Sequence, residues 1–202
     1  MESVDPIYMA LHRYTRVLSV ALGYRDLLTR LHSERVLGLS ALVWDHCGLP
    51  EKERHILRIG ASFHDIGKIG IPDHILLKPG QLDEAEWATM KQHSQIGQKI
   101  MLATELAGAP QAAVIIRHHH EYYDGHGYPD GLAGEEIPIG ARIISIADSY
   151  DAMAVTRSYH RAKKHAEIIE VLRAEAGGKH DPKLVNIFCS VIESSKFKAA
   201  EG

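Results

Sequence analysis

His64 and Asp65 stand side by side where an apolar helical pattern stops, and Lys68 follows three residues on. A neutral imidazole binds one cation and a carboxylate can bridge two. The pair can therefore seed a two-metal site, provided other segments bring more nitrogen and oxygen to the same point. That requirement constrains the fold, because helices from distant parts of the chain must end, or turn a polar spot, towards one place. The chain has 14 histidines and 2 cysteines. Cys47 and Cys189 have no metal-finger spacing and form no disulfide framework, so they read as reduced apolar fillers.

Hydrophobic periodicity supplies the helices. Asp5-Pro6 reads as an N-cap with proline at the first helical position. Ile7, Leu11, Tyr14, Leu18 and Leu22 recur at helical spacing, with a break at Gly23. A second helix is expected over 24–47 and a third over 51–64, the latter burying Ile56, Leu57, Ile59 and Phe63. Gly, Pro and Asp punctuate 67–80, which reads as loop with at most one short turn. Asp83 caps a helix carrying Trp87 and Met90. Ile96, Ile100 and Met101 continue a helical face, and Gly108-Ala109-Pro110 interrupts it before another helix over 112–120. The longest irregular stretch, 121–138, holds Gly125, Gly127, Gly131, Gly134, Pro129 and Pro138, and a loop of that length is usually functional. Helices follow over 139–155 and 164–176, and Asp181-Pro182 opens a last one. The terminal residues 196–202 are expected to fray. The fold class is all-α, with about eight helices around one core.

A chain of 202 residues that is 45% hydrophobic and 24% charged can bury a core without staples. Its net charge of -3 gives no basic field, so nucleic acid is not an expected partner. An anionic substrate would have to be held locally, by a metal or by a few placed cations. No apolar run approaches the roughly 20 residues that span a bilayer. The N-terminus lacks a signal-peptide pattern, and a cytoplasmic location is expected.

Seven candidate ligands fall at helix ends or on polar spots of apolar helices: His32, His64, Asp65, His93, His119, His120 and Asp148. Each has a bland reading alone, as a surface histidine, a capping histidine or a buried ion pair. Successive helical residues differ by about 100° in direction, so His118, His119 and His120 cannot all face one point. Asp148 interrupts the apolar run Ile143-Ile144-Ser145-Ile146-Ala147, where an unpaired carboxylate is costly. A nitrogen and oxygen set suits Fe, Mn, Ni, Co or Zn better than Cu(I) or an iron–sulfur cluster.

His64-Asp65-Ile66-Gly67-Lys68-Ile69-Gly70-Ile71-Pro72-Asp73, followed by Lys78-Pro79-Gly80, resembles the signature of the HD-GYP phosphodiesterases, a branch of the HD superfamily of metal-dependent phosphohydrolases. His119-His120-Glu121-Tyr122-Tyr123-Asp124-Gly125-His126-Gly127-Tyr128-Pro129 carries the HHE-x-x-DG-x-GYP pattern. The run from Arg142 through Asp148 to Ala152 resembles the next motif, and Arg35 and Ile96-Gly97 fit the intervening ones. The resemblance covers about 25–188. It implies an HD-type helical bundle around a metal centre and hydrolysis of cyclic di-GMP to pGpG or GMP by a metal-bridging hydroxide. By position, one metal would take His32, His64, Asp65 and Asp148, and the second His93, His119 and His120, with Asp65 shared. Trinuclear members add a glutamate four residues before the first histidine; Leu28 stands there, so two divalent ions are expected, with Fe or Mn ahead of Ni, Co or Zn.

The resemblance also suggests substrate contacts from Lys68, which would hold the scissile phosphate or the leaving oxygen, and from Tyr128 and Arg157. The family often has a basic residue where His160 stands. Asp151 is expected behind the ligands, and Asp124, Gly127 and Pro129 are expected to shape the loop. Residues 1–23 read as a linker or dimerisation helix ahead of a catalytic unit over 24–195. A homodimer, a diguanylate cyclase partner and an upstream sensory or receiver domain are all compatible with the family. Other readings stay open: a binding module without turnover, a hydrolase of another cyclic dinucleotide such as 3'3'-cGAMP, or oxygen chemistry at a diiron site.

Overall fold

The computed structural model describes residues 6–155 and 161–200. Among them the chain forms ten α-helices: α1 Pro6–Arg25, α2 Leu27–Trp44, α3 Glu51–Phe63, α4 Asp73–Leu76, α5 Glu84–Lys91, α6 His93–Leu102, α7 Ala109–His118, α8 Ile139–Ala154, α9 His165–Ala174 and α10 Pro182–Ile192. Two 3-10 turns, Ile66–Gly70 and Gly134–Glu136, complete the elements. The all-α class holds, with more helices than the eight expected because the 67–80 loop contains the single-turn α4 and the 84–102 segment divides at Gln92. Among the described residues no helix is long and apolar enough to cross a membrane.

Local chemistry sets several boundaries. The first break falls at Asp26, not at Gly23. Asp26 adopts an extended backbone (φ -144°, ψ 92°) and its carboxylate accepts the Thr29 N–H, which caps α2. Asp83 and Glu86 form a reciprocal capping box at the start of α5. Asp181 accepts the N–H groups of Lys183 and Leu184, with Pro182 at the first helical position of α10.

The α8 helix is the axis of the bundle. Ile143, Ile144, Ile146 and Ala147 are fully buried and pack against α2, α3, α9 and α10. A second apolar cluster joins Leu22 of α1 to Ile59, Phe63, Ile66, Met101 and Ile116. The α3 helix feeds both, through Leu57 and Ala61 on one side and Ile59 and Phe63 on the other. His64 and Asp65 at its end are thus anchored between two cores.

The tail does not fray up to residue 200. The Phe197 ring lies over Gly38, where a side chain would collide with it. The Ala199 N–H donates to the Tyr150 hydroxyl at 2.8 Å, and the His165 N–H to Ala200 O at 3.1 Å.

The 3-10 turn after Asp65 is held by two devices. Arg25 donates to the carbonyls of Lys68, Ile69 and Ile71 and pairs with the Asp73 carboxylate at 2.7 Å. Gly67 lies against α6 so closely that a Cβ there would overlap His93 O and Gly97 N. A Gly67→Ala change must push the turn away from α6, at a cost of about 1–3 kcal/mol. Thermal unfolding followed by circular dichroism should show the midpoint lowered by roughly 3–10 °C; a midpoint shifted by less than about 1 °C would contradict the close approach.

Candidate metal centre

Five imidazoles and two carboxylates from α2, α3, α6, α7 and α8 converge between the two cores. His64 ends α3, and Asp65 follows in the bridge region of backbone space (φ -97°, ψ 3°), common at active sites. The His64 Nδ1–H donates to Ala61 O at 2.8 Å, that of His93 to Met90 O at 2.7 Å and that of His119 to Ile116 O at 2.7 Å. In each case the carbonyl three residues back takes one ring nitrogen and leaves the Nε2 lone pair facing inward. His32 uses a carboxylate for the same purpose: its Nδ1 lies 2.6 Å from Asp151 Oδ2. The buried His64 Nε2 has no hydrogen-bond partner among the described residues. A buried acceptor left open in this way is what a cation ligand requires.

The inward atoms form two groups. His32, His64 and Asp148 each offer one ligand atom, all within 4.8 Å of one another, and so do His93, His119 and His120. Asp65 lies between them. Its Oδ1 is 3.5 Å from His93 Nε2; its Oδ2 is 3.6 Å from His64 Nε2 and 3.9 Å from His32 Nε2. These separations leave room for a cation between the atoms, and the donor set is nitrogen and oxygen throughout. Residues 16–184 match the HD domain family.

The chain belongs to the HD domain family. Similar proteins include the cyclic di-GMP phosphodiesterase response regulator RpfG of Xanthomonas campestris pv. campestris, 42% identical over 84% of this chain and 45% of that protein. A cyclic di-GMP phosphodiesterase of Thermotoga maritima is 41% identical over 85% of the chain and 47% of its own length. A 3'3'-cGAMP-specific phosphodiesterase 2 of Vibrio cholerae is 39% identical over 84% and 33%. The chain thus spans half or less of the length of these relatives. Among solved structures, Bd1817, an HDG"Y"P protein from Bdellovibrio bacteriovorus, aligns with a TM-score of 0.65 at 22% identity over 82% of this chain and 52% of that one. At that identity the likeness concerns the fold alone.

Electrostatics within the HD domain set the protonation. Burial depresses the His64 and His93 imidazoles, and it depresses His119 further with His120, His64 and His93 close by. Burial and the neighbouring His93 push His120 down to about 3. These four rings are neutral at pH 7 and can offer lone pairs. Burial works against the charge of both carboxylates. The Lys68 ammonium nevertheless holds Asp65 well below the usual range, and the hydrogen bond from His32 does so for Asp148. His32 is the exception: burial pulls it down, but Asp148 at 3.0 Å and Asp151 outweigh that and push it up to about 9. A proton there answers the same excess of negative charge that a bound cation would.

The supporting residues are as ordered as the inward ones. Arg35 forks onto Asp151, with Nε to Oδ1 at 2.6 Å and Nη2 to Oδ2 at 2.9 Å, so a guanidinium–carboxylate–imidazole chain orients His32. Lys68 Nζ lies 2.6 Å from Asp65 Oδ2. Tyr128 precedes a cis proline bond to Pro129 and stacks on His120, ring centroids 4.8 Å apart. Asp124 accepts the His126 N–H at 3.0 Å and belongs to the loop turn, while a Cβ at Gly127 would overlap Tyr122 N and Glu121 Cα. Leu28 is exposed at 74%. Arg157 and His160 lie outside the described residues.

His118 points the other way, to Asp130 at 2.8 Å. It joins a clasp that sequence reasoning did not pick out. Arg117 forks onto both Asp130 oxygens at 2.7 and 2.6 Å, and Glu121 accepts the N–H groups of Asp130 and Gly131. Arg117 holds the Asp130 carboxyl down at about 2. With a guanidinium already on those oxygens, the group ties the loop to α7 and is not a cation site. Glu121 in the HHE motif was the available signal.

Removing the negative charge behind His32 tests the supporting chain. Asp151→Asn should keep the helix content and lower metal affinity on the His32 side by roughly 10–100-fold. Metal content after dialysis, read by plasma mass spectrometry, should fall by up to one equivalent per chain; unchanged stoichiometry and affinity would contradict the role given to Asp151.

Proposed function

We propose that this chain is a phosphodiesterase of cyclic dinucleotides, with cyclic di-GMP as substrate and linear pGpG or GMP as product. The observation that carries the reading is the pair of three-atom ligand groups with the Asp65 carboxylate between them. The activities for which the relatives are named agree with it. In this reading His32, His64 and Asp148 hold one divalent ion, His93, His119 and His120 hold a second, and Asp65 is shared. Iron or manganese suits the donor set first, with nickel, cobalt or zinc as further occupants. A bound pair of divalent cations lowers the pKa of water and withdraws charge from a phosphoryl group.

The remaining chemistry belongs to the chain's own residues. Lys68, on the rim at 22% side-chain exposure, can turn its ammonium from Asp65 to a phosphate oxygen or to the departing ribose 3'-oxygen. Burial pushes the Tyr128 phenol up, so it stays protonated and can donate a hydrogen bond to substrate. Arg157 completes the proposed contacts. The catalytic unit in this reading is 24–195, cytoplasmic, with 1–23 as linker or dimerisation helix and a regulatory domain or diguanylate cyclase as partner.

The test is a nucleotide assay by chromatography with Mn or Fe supplied. Wild-type protein should release pGpG or GMP, and Lys68→Ala should lower kcat by roughly 10²–10³-fold with helix content unchanged. Metal-loaded protein that releases no product would contradict the reading. Since some relatives are named as 3'3'-cGAMP-specific, both cyclic dinucleotides belong in the same assay.

A further inference from the structure

The α5 helix is anomalous in this bundle. It buries none of its residues, yet its start is fixed by the Asp83–Glu86 capping box and by a Lys78–Glu86 ion pair of 2.5 Å. It adds nothing to either core, and apart from the Met90 carbonyl that fixes His93 it offers its side chains to the rim. What it presents is Trp87, 47% exposed, and one turn later Lys91. The Trp87 ring meets the Tyr128 ring edge-on with centroids 6.4 Å apart, and Lys91 Nζ stands 5.8 Å from the centre of the same ring. Tyr128 in turn stacks on His120. An exposed indole therefore lies two ring contacts from the inner ligand groups. Lys91 makes no ion pair among the described residues, whereas Lys78 on the same rim is already neutralised by Glu86.

We propose that Trp87 and Lys91 form a purine subsite, in which the indole stacks on one base of the substrate and the ammonium faces that base's carbonyl edge or the adjoining phosphate. The inference rests on the reading above and adds the element that makes the site select a dinucleotide over a simple diester. A nucleotide base lies one ribose away from its 3'-phosphate, which suits a shelf set just outside the ligand groups. An indole face exposed to water gains by covering itself with a purine, and the gain is tolerant of which purine it is. The shelf thus predicts affinity towards cyclic di-GMP and 3'3'-cGAMP alike.

The test compares cyclic di-GMP with bis(p-nitrophenyl) phosphate, a diester without a purine. Trp87→Ala should raise KM for cyclic di-GMP roughly 5- to 100-fold, the range of one base–aromatic stack, with kcat changed by less than about threefold. Its loss in kcat/KM should be at least about fivefold larger for the dinucleotide than for the simple diester. Trp87→Phe should recover most of the difference, and Lys91→Ala should raise KM without the aromatic rescue. An unchanged KM in Trp87→Ala, or equal losses on both substrates, would overturn the shelf while leaving the hydrolase reading intact. Fluorescence separates the two failures. Trp44 is buried in the core, so Trp87 is the tryptophan open to ligand. If the wild type fails to cleave cyclic di-GMP, the hydrolase reading falls and pGpG titration still decides the shelf. Quenching that is lost in Trp87→Phe supports it, and no quenching overturns it.

Discussion

A carboxylate exposed at only 3%, lodged between two groups of imidazoles, is the constraint on which this structure turns. Moving Asp65 out of water is expensive unless its charge is answered on all sides. Lys68 answers from the rim, whereas the Nε2 lone pairs of the neutral His64 and His93 rings face Asp65 without answering its charge, which leaves room for a cation between them. The same demand recurs at Asp148, where His32 responds by holding a proton to about pH 9. Two inward carboxylates and a set of neutral rings describe a place made for positive charge.

The rest of the fold maintains that place. Three histidines are fixed by the carbonyl three residues behind them, a device that uses the end of the helix itself and needs no additional side chain. A fourth of the five, His32, sits within α2 where carbonyls are already committed, so Asp151, held by Arg35, supplies the equivalent from across the bundle. Arg25 and Gly67 press the Lys68 turn onto α6, and Arg117, Glu121 and Asp130 tie the Tyr128 loop to α7. Rim and centre are joined where Lys68 meets Asp65, Tyr128 stacks on His120 and Gly67 lies against the His93 carbonyl.

Much of this arrangement can be read in the chain before any coordinates. The all-α class follows from periodicity, and the 100° stagger between neighbours turns His118 outward to Asp130 while His119 and His120 face inward. What could not be read depends on contacts distant in sequence. Gly23 looked like the break, but the Asp26 cap on Thr29 decides where the chain turns. The tail looked free because nothing local announces that Phe197 fits over Gly38. Trp87 could be placed on a helix capped by Asp83, but its exposure follows from α5 lying on the rim, which no local pattern encodes. Nothing local marks Arg25 or Arg117 as a tie, because their carboxylate partners lie 48 and 13 residues away.

The central claim is that one buried carboxylate is shared by two cations. Crystals grown with manganese and measured at its absorption edge test it most directly. The account predicts two anomalous peaks about 3.5–4 Å apart, one bounded by His32, His64 and Asp148, the other by His93, His119 and His120, with the Asp65 oxygens between. A single peak with Asp65 turned away, or manganese found only on the surface, would contradict it.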